Sequence, residues 1–374
     1  MAKRGMALAE AVATLVGCII GAGIFGIPYV VAKAGILAGI INILVLGTVI
    51  LLINLYVGEI ALRTKKIHQL AGYAEKYLGQ TGKIIMTISA IFGIVGALIA
   101  YIIGEGEVIS AIFGFNPFTV SVVFFVIASA VVYFDLMAVK KFELYLGAVM
   151  LALILVICFI SLPHVNLSNL SNFNLGQIFL PYGVVLFAFI GAAAIPEMEE
   201  ELKGNKKLMK RAIIIGSLIP FFVYLLFMIA VVGVTGAGTT ELATVGLGKA
   251  IGQHMILLGN LFAIFAMATS FFILGLALKW MLHYDYHINK TVSWAIACFI
   301  PFLIFLAGAR SFVSVISITG AIAGGIEGIL IVLTAKRAKK FGEQKPEYSI
   351  PLNWLVAIIL IALFAFGIAY QFLF

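Results

Sequence analysis

Along its length the chain alternates long apolar runs with short polar links. Eleven runs approach the roughly 20 residues needed to cross a bilayer: about 7–33, 36–62, 83–112, 117–137, 141–162, 177–198, 211–235, 253–281, 291–308, 311–335 and 352–373. They are rich in Ile, Leu, Val, Ala and Phe and lack the alternating ten-residue pattern of a membrane barrel. Two links have a character of their own. Residues 63–82 (RTKKIHQLAGYAEKYLGQTG) are too polar to span and predict a short amphipathic surface helix. Residues 236–252 are mixed and predict a small helix over one mouth of the bundle.

Two of the runs are interrupted. The first carries GCIIGAGIFGIPY, with Gly17, Gly21, Gly23, Gly26 and Pro28 where a plain span would hold Leu and Val. Glycine costs about 1 kcal/mol and proline about 3 kcal/mol inside a helix. A break in hydrocarbon also exposes backbone polar groups that need partners, so it survives where it lines a cavity or binds something. The sixth run, LPYGVVLFAFIGAAAIPEMEEELKG, repeats the pattern with Gly191, three alanines and Pro196. Each interrupted run heads five spans, about 7–162 and 177–335. An odd number per block turns the second block upside down relative to the first. The pattern therefore predicts an all-α polytopic membrane protein: eleven transmembrane helices, a 5+5 inverted repeat with broken first and sixth helices, and one extra helix at 352–373. All of 1–374 forms a single transport domain. Such broken helices meet near the midplane of secondary transporters, where helix N-termini hold anions and loose carbonyls hold cations.

Composition agrees: 63% of residues are hydrophobic and 11% charged, against about 45–50% and about 25% in soluble domains. A net charge of +8 would point to nucleic acid in a soluble protein. Here the positions of the charges matter more. With the N-terminus cytoplasmic, 21 of the 24 Lys and Arg residues fall inside, leaving only Lys33, Lys249 and Arg310 outside. That is the positive-inside pattern. It predicts a cell-membrane protein with N-terminus in and C-terminus out, and no nucleic-acid partner. The start MAKRGMALAEAVATLVG has a signal-peptide look, but the apolar stretch runs on without an A-x-A-like site and reads as a span. Cys18, Cys158 and Cys298 are far apart and read as small core residues.

On those residues a family resemblance appears. GCIIGAGIF resembles the first-span signature of the amino acid–polyamine–organocation (APC) superfamily, which has the leucine-transporter fold. GIPYVVAKAG resembles its amino acid/auxin permease and tyrosine/tryptophan permease branches. FAFIGAAAIPEMEEELKGNKKLMKRAI is similar to the sixth span and following loop, although Gly204 intrudes before Asn205 and no proline follows. Eleven spans suit the auxin-permease branch better than the common twelve.

The resemblance implies a substrate-binding set. The amides of Gly21, Ala22, Gly23 and Ile24 would meet a substrate carboxylate. Carbonyls of Cys18, Phe187 and Ile190, beside Gly191, would meet its amino group. The Phe187 ring would act as a lid, and the Tyr101 phenol would reach the substrate. The eighth span, NLFAIFAMATSFFILGLAL, carries an A-x-x-T-S pattern in Ala266, Thr269 and Ser270. With the carbonyls of Gly17 and Ile20 these resemble a Na+ site of five neutral oxygens, suited to a small hard cation. Ser and Thr also bond their own helix backbone, which is the plain alternative. Glu105 and Glu327, intramembrane carboxylates, are coupling or gate groups for H+ in the other reading, with solvation at the mouth the alternative for Glu105 and a structural salt bridge that for Glu327. Glu107, near the end of the same span, reads equally as a solvated mouth residue.

The predicted function is secondary active import of a neutral amino acid, aromatic ones included, by alternating access coupled to Na+ or H+. No other cofactor is expected, and the partners are the substrate and the lipid bilayer. Neutrality follows from the expectation that no charged residue stands beside either break. A channel, a membrane-embedded enzyme and a carrier of another amine or carboxylate are the competing readings. The sequence has no G-x-x-x-x-G-K-[ST] motif. The HYDYH run, His283 to His287, reads as a solvated helix end, with Asp285 a partner for Lys3 or Arg4 in an inner gate.

Overall fold

The computed structural model describes residues 2–135 and 140–373, with side chains described outside 2–4 and 140–146. Sixteen α-helices follow one another among these residues: α1 Ala2–Ile19, α2 Gly23–Ala34, α3 Ile36–Arg63, α4 Leu70–Leu78, α5 Gln80–Phe113, α6 Pro117–Tyr133, α7 Lys140–Ser161 and α8 Tyr182–Phe189. Then come α9 Ile195–Glu201, α10 Met209–Thr235, α11 Ala243–Ile251, α12 Gln253–Tyr284, α13 Lys290–Leu306, α14 Phe312–Thr319, α15 Gly325–Phe341 and α16 Trp354–Leu373. No strand occurs among the described residues.

Eight helical stretches are long and apolar enough to cross a membrane, and the pair α1 and α2, bent by 53° at its break, makes a ninth. The apolar helices α6 and α13 have 17 residues each, the short end of the spanning range. The architecture is compatible with eleven spans. Both small link helices are present, as α4 and α11. Tyr73, Ala74 and Tyr77 fix α4 by burying one face.

Helix association in lipid rests on van der Waals packing and buried polar contacts. Close approach needs small residues: a Cβ on Gly96 of α5 would fall 2.0 Å from Thr319 Oγ1 on α14. At the end rich in Lys and Arg, the buried Glu59 carboxylate gathers several partners. It accepts from Arg63 Nε at 2.9 Å, Lys339 Nζ at 2.6 Å, Ser349 Oγ at 2.8 Å and the Ile350 amide at 2.9 Å. These contacts tie α3 and α15 to the segment leading into α16.

A second lock caps α6. The fully buried Lys279 ammonium donates to the carbonyls of Val132 and Tyr133 and to Asp135 Oδ1 at 2.8, 2.9 and 2.7 Å. Lys290 pairs with the same carboxylate at 2.6 Å. In HYDYH, His283 Nδ1 lies 2.8 Å from the Ile288 carbonyl, closing the turn after α12. The expected partners of Asp285, Lys3 and Arg4, lie outside the described side chains.

Candidate functional site

The regular hydrogen bonding of α1 ends with Ile20 N–H to Val16 O at 2.8 Å, and Gly21 turns back onto Ile19 O at 3.0 Å. Helix α2 then starts at Gly23, its first internal contact running from Phe25 N–H to Ala22 O at 3.1 Å. The amides of Ala22, Gly23 and Ile24 are thus the unsatisfied donors of a new helix end. In the second break, Ile190 leaves the helix with ψ 120° and Gly191 follows at φ −151°. A single tight turn, Ala192–Ala194, leads into α9. Both expected interruptions are therefore real.

The two breaks meet backbone to backbone. A Cβ on Gly23 would lie 2.5 Å from the Cα of Ala188, and one on Gly191 would lie 2.5 Å from Ile19 Cγ1. Glycine at these two positions is a packing requirement. Gly17 and Gly21 are different, since a Cβ there would enter open space. Tyr224 of α10, fully buried, joins the breaks: its hydroxyl lies 2.7 Å from Ile19 O and 2.9 Å from Ala188 O.

Beside the first break, Cys18 is exposed and lies within electrostatic reach of both Tyr101 on α5 and Tyr224. Tyr101, 5% exposed, is within hydrogen-bonding reach of Ser270 on α12. Helix α1 packs mainly on α7, α9 and α10. Thr269 Oγ1 donates within its own helix, to Phe265 O at 2.7 Å. At the start of α2 the rings of Phe25 and Phe262 pack 5.3 Å apart. Thr14 Oγ1 donates to Glu201 at 2.8 Å, tying α1 to α9.

Side chains of the second break turn the other way, onto a feature the sequence reading missed. Residues Gly320–Gly324 form a π-helical turn between α14 and α15, a defect that recurs at functional sites. Phe187 lies against Gly320 and Ile190 against Gly324. Ser89 Oγ of α5 donates 2.9 Å to Ala323 O in that turn. The signal was the small-residue run GAIAGG.

The carboxylates separate in the same way. Glu105 is fully buried beside the backbone of Ala268, its oxygens without a hydrogen bond of normal geometry. Glu107 lies near Glu241 and Lys249 of the α11 segment, at the mouth. Glu327 lines a cleft with Asn54, Ile190, Gly191 and Ala192. The expectation that no charge stands beside either break is therefore corrected. Sequence spacing could not show that the π turn carries Glu327 to the second break. None of Cys18, Tyr101 and Ser270 lines this cleft.

Comparison with known proteins agrees with this geometry. The chain is similar to glutamine transporter 2 of Aliivibrio fischeri, 26% identical over 326 residues, 82% of this chain and 83% of that protein. It is similar to tyrosine-specific transport system 1 of Haemophilus influenzae, 29% identical over 313 residues, 77% of each chain. Among solved structures, MhsT in complex with L-phenylalanine superposes with TM-score 0.67 at 13% identity, covering 97% of both chains. The inward-facing conformation of Mhp1 superposes with TM-score 0.65 at 14% identity, covering 98% of this chain and 88% of that one. At these identities the likeness establishes the shared fold. The model of the tryptophan/tyrosine permease family matches residues 5–371, nearly the whole chain, and the protein belongs to that family.

Proposed function

We propose that this permease imports a neutral amino acid across the cell membrane by alternating access, coupled to Na+ or H+. The observation that carries the reading is the pair of breaks clipped together by Tyr224, with free amides at the start of α2 and with Cys18, Tyr101 and Ser270 close by. Amides of Ala22, Gly23 and Ile24 supply donors for a carboxylate, whereas that of the expected Gly21 is taken by Ile19 O. Carbonyls at the ends of α1 and α8 supply acceptors for an ammonium. Phe187 and Ile190 contribute backbone there, while their side chains hold the break onto the π turn. Glu327 sits in a separate cleft, which supports a substrate with an uncharged side chain. Family membership and the tyrosine and glutamine transporters among the relatives support an aromatic or amide-bearing amino acid.

Sodium would take the place between Gly17 and Ile20 on one side and Ala266, Thr269 and Ser270 on the other. The charge distribution supports N-terminus in, C-terminus out. The chain 1–374 would work as one unit, with 7–162 and 177–335 as inverted repeats. The family makes the protein a transporter and not an enzyme. A channel, or a carrier of another amine or carboxylate, is separated by one experiment: counterflow in proteoliposomes, after a thermal-shift screen of the amino acids with and without sodium. Saturable counterflow of a neutral amino acid supports the proposal. Linear, unsaturable flux contradicts it.

A further inference from the structure

The cleft behind the second break holds two polar groups that nothing in the fold explains. Asn54 of α3 is fully buried; its Nδ2 donates to Ser217 Oγ at 3.3 Å, while its Oδ1 has no partner. Across from it stands Glu327, in the first turn of α15 directly after the π turn. No charged side chain acts on Glu327 among the described residues. Of the ionisable groups on the facing helix α3, Tyr56 donates to Pro351 O and Glu59 is held by Arg63 and Lys339 at the basic end. The break segment Ile190–Ala192 and the rest of the lining are apolar. Leaving a buried amide oxygen unsatisfied costs about 1–3 kcal/mol, so such a site is kept for an occupant.

We propose that Glu327 and Asn54 form a proton-and-water site behind the second break, and that Glu327 carries a coupling proton. This rests on the alternating-access reading and names the coupling ion's place within it. The cleft has room for about one water, which needs two to four polar partners. A hard metal cation needs about five or more oxygen ligands, more than one carboxylate and one amide supply. Opened to water, the carboxylate takes a proton from hydronium, giving the carboxylic acid and one water, with charge and atoms balanced. Closed, the cleft excludes the solvent that an ionised carboxylate requires. The break is mechanically joined to this chemistry, since Ile190 and Phe187 rest on Gly324 and Gly320 of the turn that positions Glu327. A movement of α8 against α15 therefore opens or closes the cleft. Accumulation driven by a proton gradient therefore needs Glu327 to take its proton on one side and release it on the other.

Glu327→Gln tests this, because glutamine keeps the shape and mimics the neutral acid. Parent and variant are reconstituted in sodium-free liposomes, and uptake of the amino acid chosen by the thermal-shift screen is measured in two modes. Exchange against internal substrate needs no empty return; accumulation driven by an inward proton gradient does. The expected result is a loss of accumulation by roughly 10-fold or more, within the usual range of coupling energies, with exchange falling far less. Asn54→Leu should move the pH of half-maximal accumulation, and an unmoved pH would remove Asn54 from the site. Equal accumulation in parent and Glu327→Gln overturns the inference, and so does equal loss of both modes, which marks a structural or substrate contact. A parent that exchanges but ignores the proton gradient overturns it while leaving the transporter reading intact. A parent without exchange strikes the transporter reading itself, and this inference with it.

Discussion

The hydroxyl of Tyr224 stands 2.7 Å from the carbonyl oxygen of Ile19, where α1 stops, and 2.9 Å from that of Ala188, one residue before α8 stops. One proton therefore serves the ends of two half-helices that are 169 residues apart in the chain, and it fixes their relative position. Tyr224→Phe removes that proton and leaves both carbonyls buried. The expected cost is about 1–3 kcal/mol of stability. Thermal unfolding in detergent should show a lower midpoint, and uptake a higher KM for substrate. Unchanged values in both would mean that the contact does not position the site.

Glycines in the first break divide by what a side chain would meet. Gly23→Val should fail to give monodisperse protein on size-exclusion chromatography, because the new Cβ runs into the Ala188 backbone. Gly21→Val should purify like the parent, since its Cβ enters open space, and should lose substrate binding in the thermal-shift assay. Normal binding by a well-folded Gly21→Val would move the carboxylate site elsewhere.

Orientation is open to chemical labelling. Leu167 is 77% exposed in the link between α7 and α8, and Lys203 is exposed between α9 and α10. In a cysteine-free background, Leu167→Cys should react with an impermeant maleimide in intact cells and Lys203→Cys only after lysis. The reverse pattern would invert the topology.

The lock at the end of α6 makes a pH prediction. Partial burial pushes the Asp135 carboxyl upward, but Lys279 and Lys290 outweigh it and hold it below the usual carboxylate range. A group depressed in the folded state stabilises above its unfolded value, near 3.9 for Asp, and that stability is lost as pH falls through the lower folded value. Thermal stability at this lock should thus hold from about pH 7 to 5 and fall below about pH 4. Asp135→Asn should lower stability at neutral pH and blunt the acid-side fall, as differential scanning fluorimetry would show.

Much of the fold was legible because membrane insertion writes strong signals. Span length, the side on which Lys and Arg fall, and glycines in hydrocarbon are each set by the solvent, so α1/α2 and α8/α9 could be read as broken from GCIIGAGIF and FAFIGAAAIP. The contacts that assemble the site were less legible. Tyr224 is one tyrosine in an apolar helix, and its acceptors are backbone carbonyls, which every residue has. Gly21 and Gly23 look alike in sequence and differ only in what stands opposite. The π turn shifts the register of α15 against α3, so spacing along the chain could not bring Glu327 beside Gly191 and Asn54.

The most direct test of the central claim is counterflow by the purified permease in proteoliposomes, read against the first break. Alternating access at the paired breaks predicts saturable, counterflow-competent uptake of a neutral amino acid by the parent and its loss in well-folded Gly21→Val. Uptake that does not saturate, or that survives a side chain at Gly21 unchanged, would contradict it.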